Sequence, residues 1–526
     1  MTTVEKMSRD RVNGFLHAVG TEIRNGADEP VILNGWGLGN WLLCEGYMWR
    51  AGGKADRPRR IEQAVRELAG SEYAENFWKK FRGNYVTEKD IARMAEYGCN
   101  SVRVPINWRV LMADEPGVTW LEDGFKLIDD LLDWCEKYRL YVFLDLHGAP
   151  GGQTGANIDD CVDDFPRLFT DEDSWQKGIA LWAEIARRYA DRWIVGGYDL
   201  LNEPIRPDDG RKPCAHLVPK LAQFYDEAIA AVRVHDKRHM FSIEGHNWAT
   251  NPAIFNHDYD SNMLIHFHRY AINPDEGAID EWLALSERWQ KPLWLGESGE
   301  NTTEWFAALY PLCVRNGIGY NIWQWKKMSS TNSPYSVKMP KNWNKFIEYT
   351  SGGDRPSYAE AQAMFDEYLE NMLIENCVEN PNVNASVRRE PCCSLRATDF
   401  DSGHGRCAVD AFSGYRRGSG LRIVEPAVYP EKRFGFDCCW DATKLALDAD
   451  EYADYTFYQS SANSTISIEF AEDSSGEVEV FQDGASLGRV KASGTIKPIS
   501  LSSADELVIR LKTVSGQAVI ERLIYN

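Results

Sequence analysis

The stretch YDLLNEP, residues 198–204, is a short apolar run that stops at an amide, a carboxylate and a proline. A strand that runs up to Asn202 and Glu203 and then loses its backbone donor at Pro204 leaves two polar groups at its C-terminal end. Seven further runs share this texture: VILNGWG (31–37), NSVRVPI (100–106), YVFLDLHG (141–148), HMFSIEGHN (239–247), NMLIHFHRY (262–270), PLWLGES (292–298) and GYNIWQWK (319–326). Between them lie amphipathic segments such as TEKDIARMAEYG (87–98), where Thr87 and Asp90 fit a helix start and Gly98 a stop. Eight apolar strands buried on both faces and joined by helical crossovers predict an α/β protein with a closed (β/α)8 TIM barrel. No glycine-rich dinucleotide fingerprint follows the first run, which argues against an open doubly wound sheet.

After a last helical pattern, PSYAEAQAMFDEYLENMLI (356–374), the texture changes. From about residue 385 the chain alternates and turns often, as in STISIEFAEDSSGEVEVFQDGASLGRV (464–490), which predicts a C-terminal β-sandwich. The expected boundary lies near 376–385, giving a catalytic barrel over 1–380 and a sandwich over 381–526.

Composition narrows the partners. The 526 residues carry 58 Lys+Arg against 79 Asp+Glu, a formal charge of −21, which repels phosphate backbones and anionic lipid, and the longest basic run is only Arg57-Pro58-Arg59-Arg60. Nucleic acid and membrane are therefore not expected as partners. The start, MTTVEKMSRDRVNGF, has no signal-like apolar stretch, so a cytoplasmic location is expected. Twelve cysteines lie singly or in the doublets Cys392-Cys393 and Cys438-Cys439, without metal-type spacing, and read as buried reduced thiols.

In such a barrel chemistry occurs at the C-terminal strand ends. There the runs present Arg103, His147, Asn202, Glu203, Glu244, His246, His266, His268, Tyr270, Glu297 and either Trp323 or Trp325. Glu203 and Glu297 end the fourth and seventh runs, on opposite sides of the mouth. Paired carboxyls among histidines and aromatics suit glycoside hydrolysis, in which one, kept protonated, donates to the leaving oxygen and the other, kept ionised, attacks the anomeric carbon. Asn202 would hold the sugar 2-hydroxyl, Arg103 would keep the nucleophile ionised, and Trp323 offers a flat face for a sugar ring. The pair His266-x-His268 is the one signal for a metal, and without further ligands at matching strand ends no metal and no cofactor is expected.

The segments NSVRVPI, FLDLHGAPGG, LLNEP, HFHRY, PLWLGES and NIWQWK resemble, in order, the barrel motifs of glycoside hydrolase family 5 over about residues 30–375. The resemblance implies a retaining β-glycosidase with Glu203 as acid/base and Glu297 as nucleophile. It implies supporting roles for Arg103, His147, Asn202, His268, Tyr270 and Trp323, with Trp325 an alternative two residues on. The long loops 37–60 and 148–169 predict pocket walls, with Trp41, Glu45, Tyr47, Trp49, Asn157 and Asp159 closing over one terminal sugar. HGAPGGQTG resembles the exo-acting β-1,3-glucanase branch, whereas GNWLLCEGYMWR followed by RPRRIE resembles the bacterial β-mannosidase branch, which implies Man-β-1,4-GlcNAc as substrate. A β-glucosidase or exo-glucanase is the alternative, and a non-catalytic sugar-binding protein on a barrel scaffold is the alternative outside enzymes. The segments LRATDFDSGHG (395–405) and GFDCCWDATKLALDADEYADYTF (435–457) resemble carbohydrate-binding modules of families 6 and 35. The acidic opening of those modules appears here as Ala397-Thr398-Asp399-Phe400-Asp401, with Thr398 in place of Glu, which argues against a calcium or ligand role at that position; whether the domain binds sugar or calcium or only braces the barrel stays open, as does whether Trp440 meets sugar or fills a core. An oligosaccharide substrate is the expected partner, and oligomeric state does not follow from the sequence.

Overall fold

The computed structural model describes residues 2–408, 414–426, 428, 439–494 and 498–526. Cys438 and the start of the segment 435–457 lie outside the described residues. Eight parallel strands close a barrel in chain order: β1 (Asn34–Gly37), β2 (Ser101–Asn107), β3 (Tyr141–Gly148), β4 (Val195–Asp199), β5 (Met240–Glu244), β6 (Met263–Arg269), β7 (Leu293–Ser298) and β8 (Gly319–Ile322). Their residues are buried almost throughout, as parallel strands with both faces covered require. The crossover after Tyr85 shows how sequence sets an element. Thr87 and Asp90 form a reciprocal capping box at the start of helix Glu88–Glu96, and Gly98 takes φ +75 past its end.

The fourth strand departs from the expected run. It begins at Val195 and ends at Asp199, so Leu200–Glu203 lie beyond it. Gly196 and Gly197 hide its first half from an apolar count, yet a Cβ on Gly197 would meet the Phe143 ring at 2.9 Å and the Met240 carbonyl at 2.8 Å. Past Asp199 the chain follows its neighbours irregularly: Leu200 N–H donates to the Ser242 carbonyl and Asn202 N–H to the Leu146 carbonyl.

The chain forms two compact units. The first comprises Met1–His268, Leu285–Ser298 and Gly317–Glu379, and the second Arg269–Ala284, Gly299–Asn316 and Asn380–Asn526. In the second unit a curled antiparallel sheet is organised by one long strand, Ala504–Tyr525. Successive parts of that strand pair with Tyr452–Ser460, Ser475–Gln482, Lys444–Asp448 and Thr465–Phe470. Leu507, Ile509, Leu511 and Thr513 point inward at alternate positions, the two-residue period of a half-buried strand. Trp440 is 1% exposed and fills this core. Asp401 accepts from both Arg389 Nη1 and the Thr456 N–H, and Asp399 accepts from the Tyr415 hydroxyl at 2.7 Å. Asp401 is thus engaged in internal pairs, while Oδ2 of the buried Asp399 has no hydrogen-bond partner among the described residues.

Candidate active site

Arg103, on β2, is the hub of the barrel mouth. Its side chain is fully buried; Nε donates to Asp199 at 2.7 Å, Nη1 to Glu297 at 2.6 Å, and Nη2 to Asn202 Oδ1 at 2.8 Å and Glu244 at 3.0 Å. Asp145 stands 3.2 Å away. Burial by itself would weaken the guanidinium as a cation. The carboxylates of Asp145, Asp199, Glu297 and Glu244 outweigh it and hold the group well above its ordinary value. Five side chains from β3, β4, β5, β7 and the loop after β4 are thereby fixed by one planar fork.

Glu203 is set by its backbone. It takes φ +44, a left-handed conformation uncommon away from glycine, in which its N–H donates to Glu244 Oε2 at 2.7 Å. Its carbonyl accepts from Thr154 Oγ1 at 2.8 Å, while Ile205 N–H and Arg206 N–H donate to the carbonyls of Gln153 and Thr154. Pro204, which has no donor, sits between the two clamped positions. The Glu203 side chain faces His268 Nδ1 at 2.8 Å. Burial pushes its carboxyl above the ordinary 4.5, His268 opposes the rise, and the nearby Glu297 and Glu244 add to it. His268 is itself disfavoured as a cation by burial, but Glu244, Glu297 and Glu203 hold it well above the ordinary histidine value.

On the other side, His147 Nδ1 and Asp145 Oδ2 are 2.7 Å apart, and His147 Nε2 is 3.2 Å from Asn202 Nδ2. A hydrogen on Nδ1, facing the carboxylate, leaves Nε2 to accept from the amide. His147 stacks on Trp323 with ring centres 5.3 Å apart and planes 2° from parallel, and Trp323 Nε1 donates to the Tyr47 hydroxyl at 2.8 Å. The peptide bond between Trp323 and Gln324 is cis. Gly296, just before Glu297, is where His266 lies: a Cβ there would come within 2.0 Å of its Nε2. Glu203, Glu297 and Trp323 retain exposures of 9, 6 and 3%, so the site opens narrowly.

The structure moves several expected residues out of this cluster. Trp49 is fully buried among Phe77, Trp78, Phe81, Trp343, Phe346 and Tyr368, because its apolar loop is packed under helices rather than over the mouth. Trp325 is also enclosed, donating to Asp90 at 3.0 Å and packing on Trp36, Tyr97 and Tyr335. Glu244 is fully buried and works through Glu203 and Arg103 instead of meeting substrate. Glu45 is 3% exposed, at the start of the turn Gly46–Trp49. Asn157 is exposed on the loop after β3, whereas Asp159 beside it is buried and accepts from the N–H groups of Thr154, Gly155 and Cys161, shaping the loop. Trp41 lines a separate cavity of about 300 Å³ with Trp78, Glu62, Arg66, Arg82 and Arg109. His246 follows β5, 8% exposed, its Nδ1 without a partner, and burial lowers its pKa. Tyr270 follows β6 directly and is half-buried.

Sequence reading passed over Asp145, Asp199, Gln153 and Thr154. Asp145 was legible from its spacing, since it lies two residues before His147 and shares its face of the strand. Gln153 had no such signal. It is fully buried, accepts from Ala149 N–H and donates to the carbonyls of His147 and Asn202, tying the two strand ends together.

Two triads, Glu244–His266–His268 and Glu203–His268–Glu297, bring potential metal-ligand atoms within 4.8 Å of one another. The carboxylates of Glu244 and Glu297 already accept from Arg103, and Glu244 from Glu203 N–H as well, and His266 Nδ1 lies 2.8 Å from Ser242 Oγ. A fixed guanidinium against the same oxygens opposes a second cation, so these donors fit a hydrogen-bonded network better than a metal centre.

A closed parallel barrel whose strand ends converge on opposed carboxyl groups, one pushed upward by burial and one gripped by an arginine, is the constellation of a glycoside hydrolase. The family model for cellulase (glycosyl hydrolase family 5) matches residues 62–350, and the chain belongs to this family. It is 31% identical over 308 residues to a beta-xylosidase of Phanerodontia chrysosporium, covering 58% of this chain and 61% of that one. To a glucan 1,3-beta-glucosidase of Candida oleophila it is 29% identical over 337 residues, covering 58% and 73%. The chain thus spans about three fifths of the length of the first of these relatives. Among solved structures it is similar to Thermotoga maritima Cel5A in complex with cellobiose, with TM-score 0.39, 21% identity, and coverage of 51% of this chain and 89% of that one.

Proposed function

We propose that this glycoside hydrolase is a retaining, exo-acting β-glycosidase. The observation that carries the reading is the separation of the pair: carboxylate oxygens of Glu203 and Glu297 lie within 4.8 Å. Retention needs carboxyl groups roughly 5–5.5 Å apart, whereas inversion needs about 6.5–9.5 Å to admit a water. Glu203, raised by burial, is the acid/base, and Glu297, held by Arg103, is the nucleophile. Glu203 protonates the departing oxygen as Glu297 attacks the anomeric carbon. The deprotonated Glu203 then takes a proton from the water that cleaves the glycosyl ester. Asn202, oriented by Arg103 and His147, meets the 2-hydroxyl, and Trp323 lies under the sugar. The narrow opening at Glu203, Glu297 and Trp323 supports capture of a single terminal residue.

The sugar is read as mannose, and the substrate as Man-β-1,4-GlcNAc from N-glycan cores, on the resemblance of the 37–60 loop to β-mannosidases. A β-glucosidase or exo-β-1,3-glucanase is the second reading, favoured by the named activity of the Candida oleophila relative. A cytoplasmic site of action is supported by the eleven cysteines among the described residues, which are all free, as a reducing compartment would keep them. The C-terminal sheet is read as a structural domain rather than a calcium site, because Asp401 is committed to Arg389 and the Thr456 N–H.

The test is a mass-spectrometric digest of Man-β-1,4-GlcNAc, mannobiose, cellobiose and laminaribiose, with NMR of the anomer first released. Cleavage of Man-β-1,4-GlcNAc with β-mannose released first supports the full reading. A glucoside preference selects the second, and release of the α-anomer overturns retention. Glu297→Gln is expected to lower turnover by more than about 10⁴-fold, and an active variant would remove Glu297 as nucleophile.

A further inference from the structure

Between β1 and β2 the chain forms two successive helices, Pro58–Ala69 and Ser71–Tyr85, and helical spacing gathers polar residues on one side of each. Glu62 and Arg66 lie one turn apart on the first, while Glu75, Trp78 and Arg82 follow at steps of three and four on the second. With Trp41, and with Arg109 just past β2, they line the cavity of about 300 Å³. None of these residues belongs to the Arg103 network.

The donors of this cavity outnumber its acceptors. Arg109 donates from Nε to Asp160 at 2.5 Å and from Nη1 to Glu62 at 2.8 Å, but its Nη2 is buried without a partner, and so is Trp78 Nε1. The Arg82 side chain makes no hydrogen bond or ion pair among the described residues, although its carbonyl is fixed by Trp41 Nε1 at 2.7 Å. Burial lowers its guanidinium from the ordinary value; Glu62 opposes the fall and the Arg109 charge adds to it. Glu62 is already taken by Arg109, and Glu75 is exposed. Buried donors are nearly always paired, and a cation drawn out of water without a carboxylate destabilises the fold unless negative charge comes from elsewhere.

An oxyanion is the acceptor that suits guanidinium groups, because its oxygens meet their N–H forks. Trp41 and Trp78 add flat apolar surface, and the volume, at the lower end for small-molecule sites, holds a body the size of one pyranose. We propose that this cavity is a binding site, separate from the catalytic mouth, for a monosaccharide-sized organic anion, a sugar acid or sugar phosphate held by Arg82, Arg109 and Trp78.

The experiment is isothermal titration of the full chain with D-glucuronate, glucose 6-phosphate, glucose and inorganic phosphate, repeated in Arg82→Gln and Trp78→Phe. At least one sugar anion is expected to bind about tenfold or more tightly than glucose and inorganic phosphate, and to lose about tenfold or more in each variant. The tighter of the two identifies the oxyanion as carboxylate or phosphate. Arg82→Gln removes an unpaired cation and should melt at or above wild type, so lost binding is not lost folding. No binding of either sugar anion up to about 10 mM, equal binding of glucose or inorganic phosphate, or unchanged affinity in Arg82→Gln overturns the proposal. Inhibition of glycoside cleavage by the anions that persists in Arg82→Gln places them at the catalytic mouth and overturns it as well.

Discussion

The backbone N–H of Glu203 donates to Glu244 Oε2 at 2.7 Å, while Glu244 Oε1 accepts from Arg103 at 3.0 Å. One buried carboxylate thus holds the acid through its main chain and the arginine that grips Glu297. In Glu244→Gln one of these donors would face an N–H₂, and breaking a buried charged network of this kind costs about 3–5 kcal/mol. The melting temperature is expected to fall. Because the Glu244 charge also helps raise Glu203, the alkaline limb of the activity profile should move to lower pH. A lower melting temperature with an unmoved limb would leave Glu244 a purely structural role.

The pH profile follows from Glu203. Its folded pKa lies above 4.5, raised by burial, and the first chemical step needs the protonated form, so activity is present below that pKa and lost as pH rises through it. Glu203→Gln should abolish this limb and cost about 10²–10⁴-fold with poor leaving groups, but much less with activated aryl glycosides. His268 opposes the rise, so His268→Asn should shift the limb upward. Kcat/KM from pH 4 to 9 for the three proteins decides it.

Trp323 and Trp325 separate by readout. Trp323→Phe, which loses the Tyr47 bond and the indole stacked on His147, is expected to reduce kcat/KM about tenfold with a modest change in melting temperature. Trp325→Phe, which loses the buried bond to Asp90, is expected to cost about 1–3 kcal/mol of stability and leave KM near wild type. The opposite pattern in steady-state kinetics and calorimetry would return the stacking role to Trp325.

In the second unit, burial pushes Asp399 up to about 6 from 3.8. A carboxyl raised on folding contributes stability that is fully present below pH 3.8 and is lost as pH rises through about 6. Asp399→Asn keeps an acceptor for the Tyr415 hydroxyl and removes the buried charge. Its melting temperature should exceed wild type at pH 8 and match it at pH 4. A loss at pH 8 would mean that the charge of Asp399 is needed by its arginine neighbours.

The barrel was written into the chain itself, because parallel strands covered on both faces must be apolar along their length and their crossovers must be amphipathic. Glu203, Glu297, Arg103, His147 and Asn202 were legible for the same reason: polar groups at the ends of such runs stand out against them. The fold alone decided how they meet. Arg103 joins four strand ends that are far apart in sequence, and Glu203 owes its conformation to Glu244, which ends the fifth run, and to Gln153 and Thr154, whose identities carry no local pattern. Trp49 was expected in a pocket wall and Trp325 as an alternative platform because an aromatic has the same sequence whether it faces a cleft or a core. Only the packing of helices and loops from distant parts of the chain determined that both are enclosed.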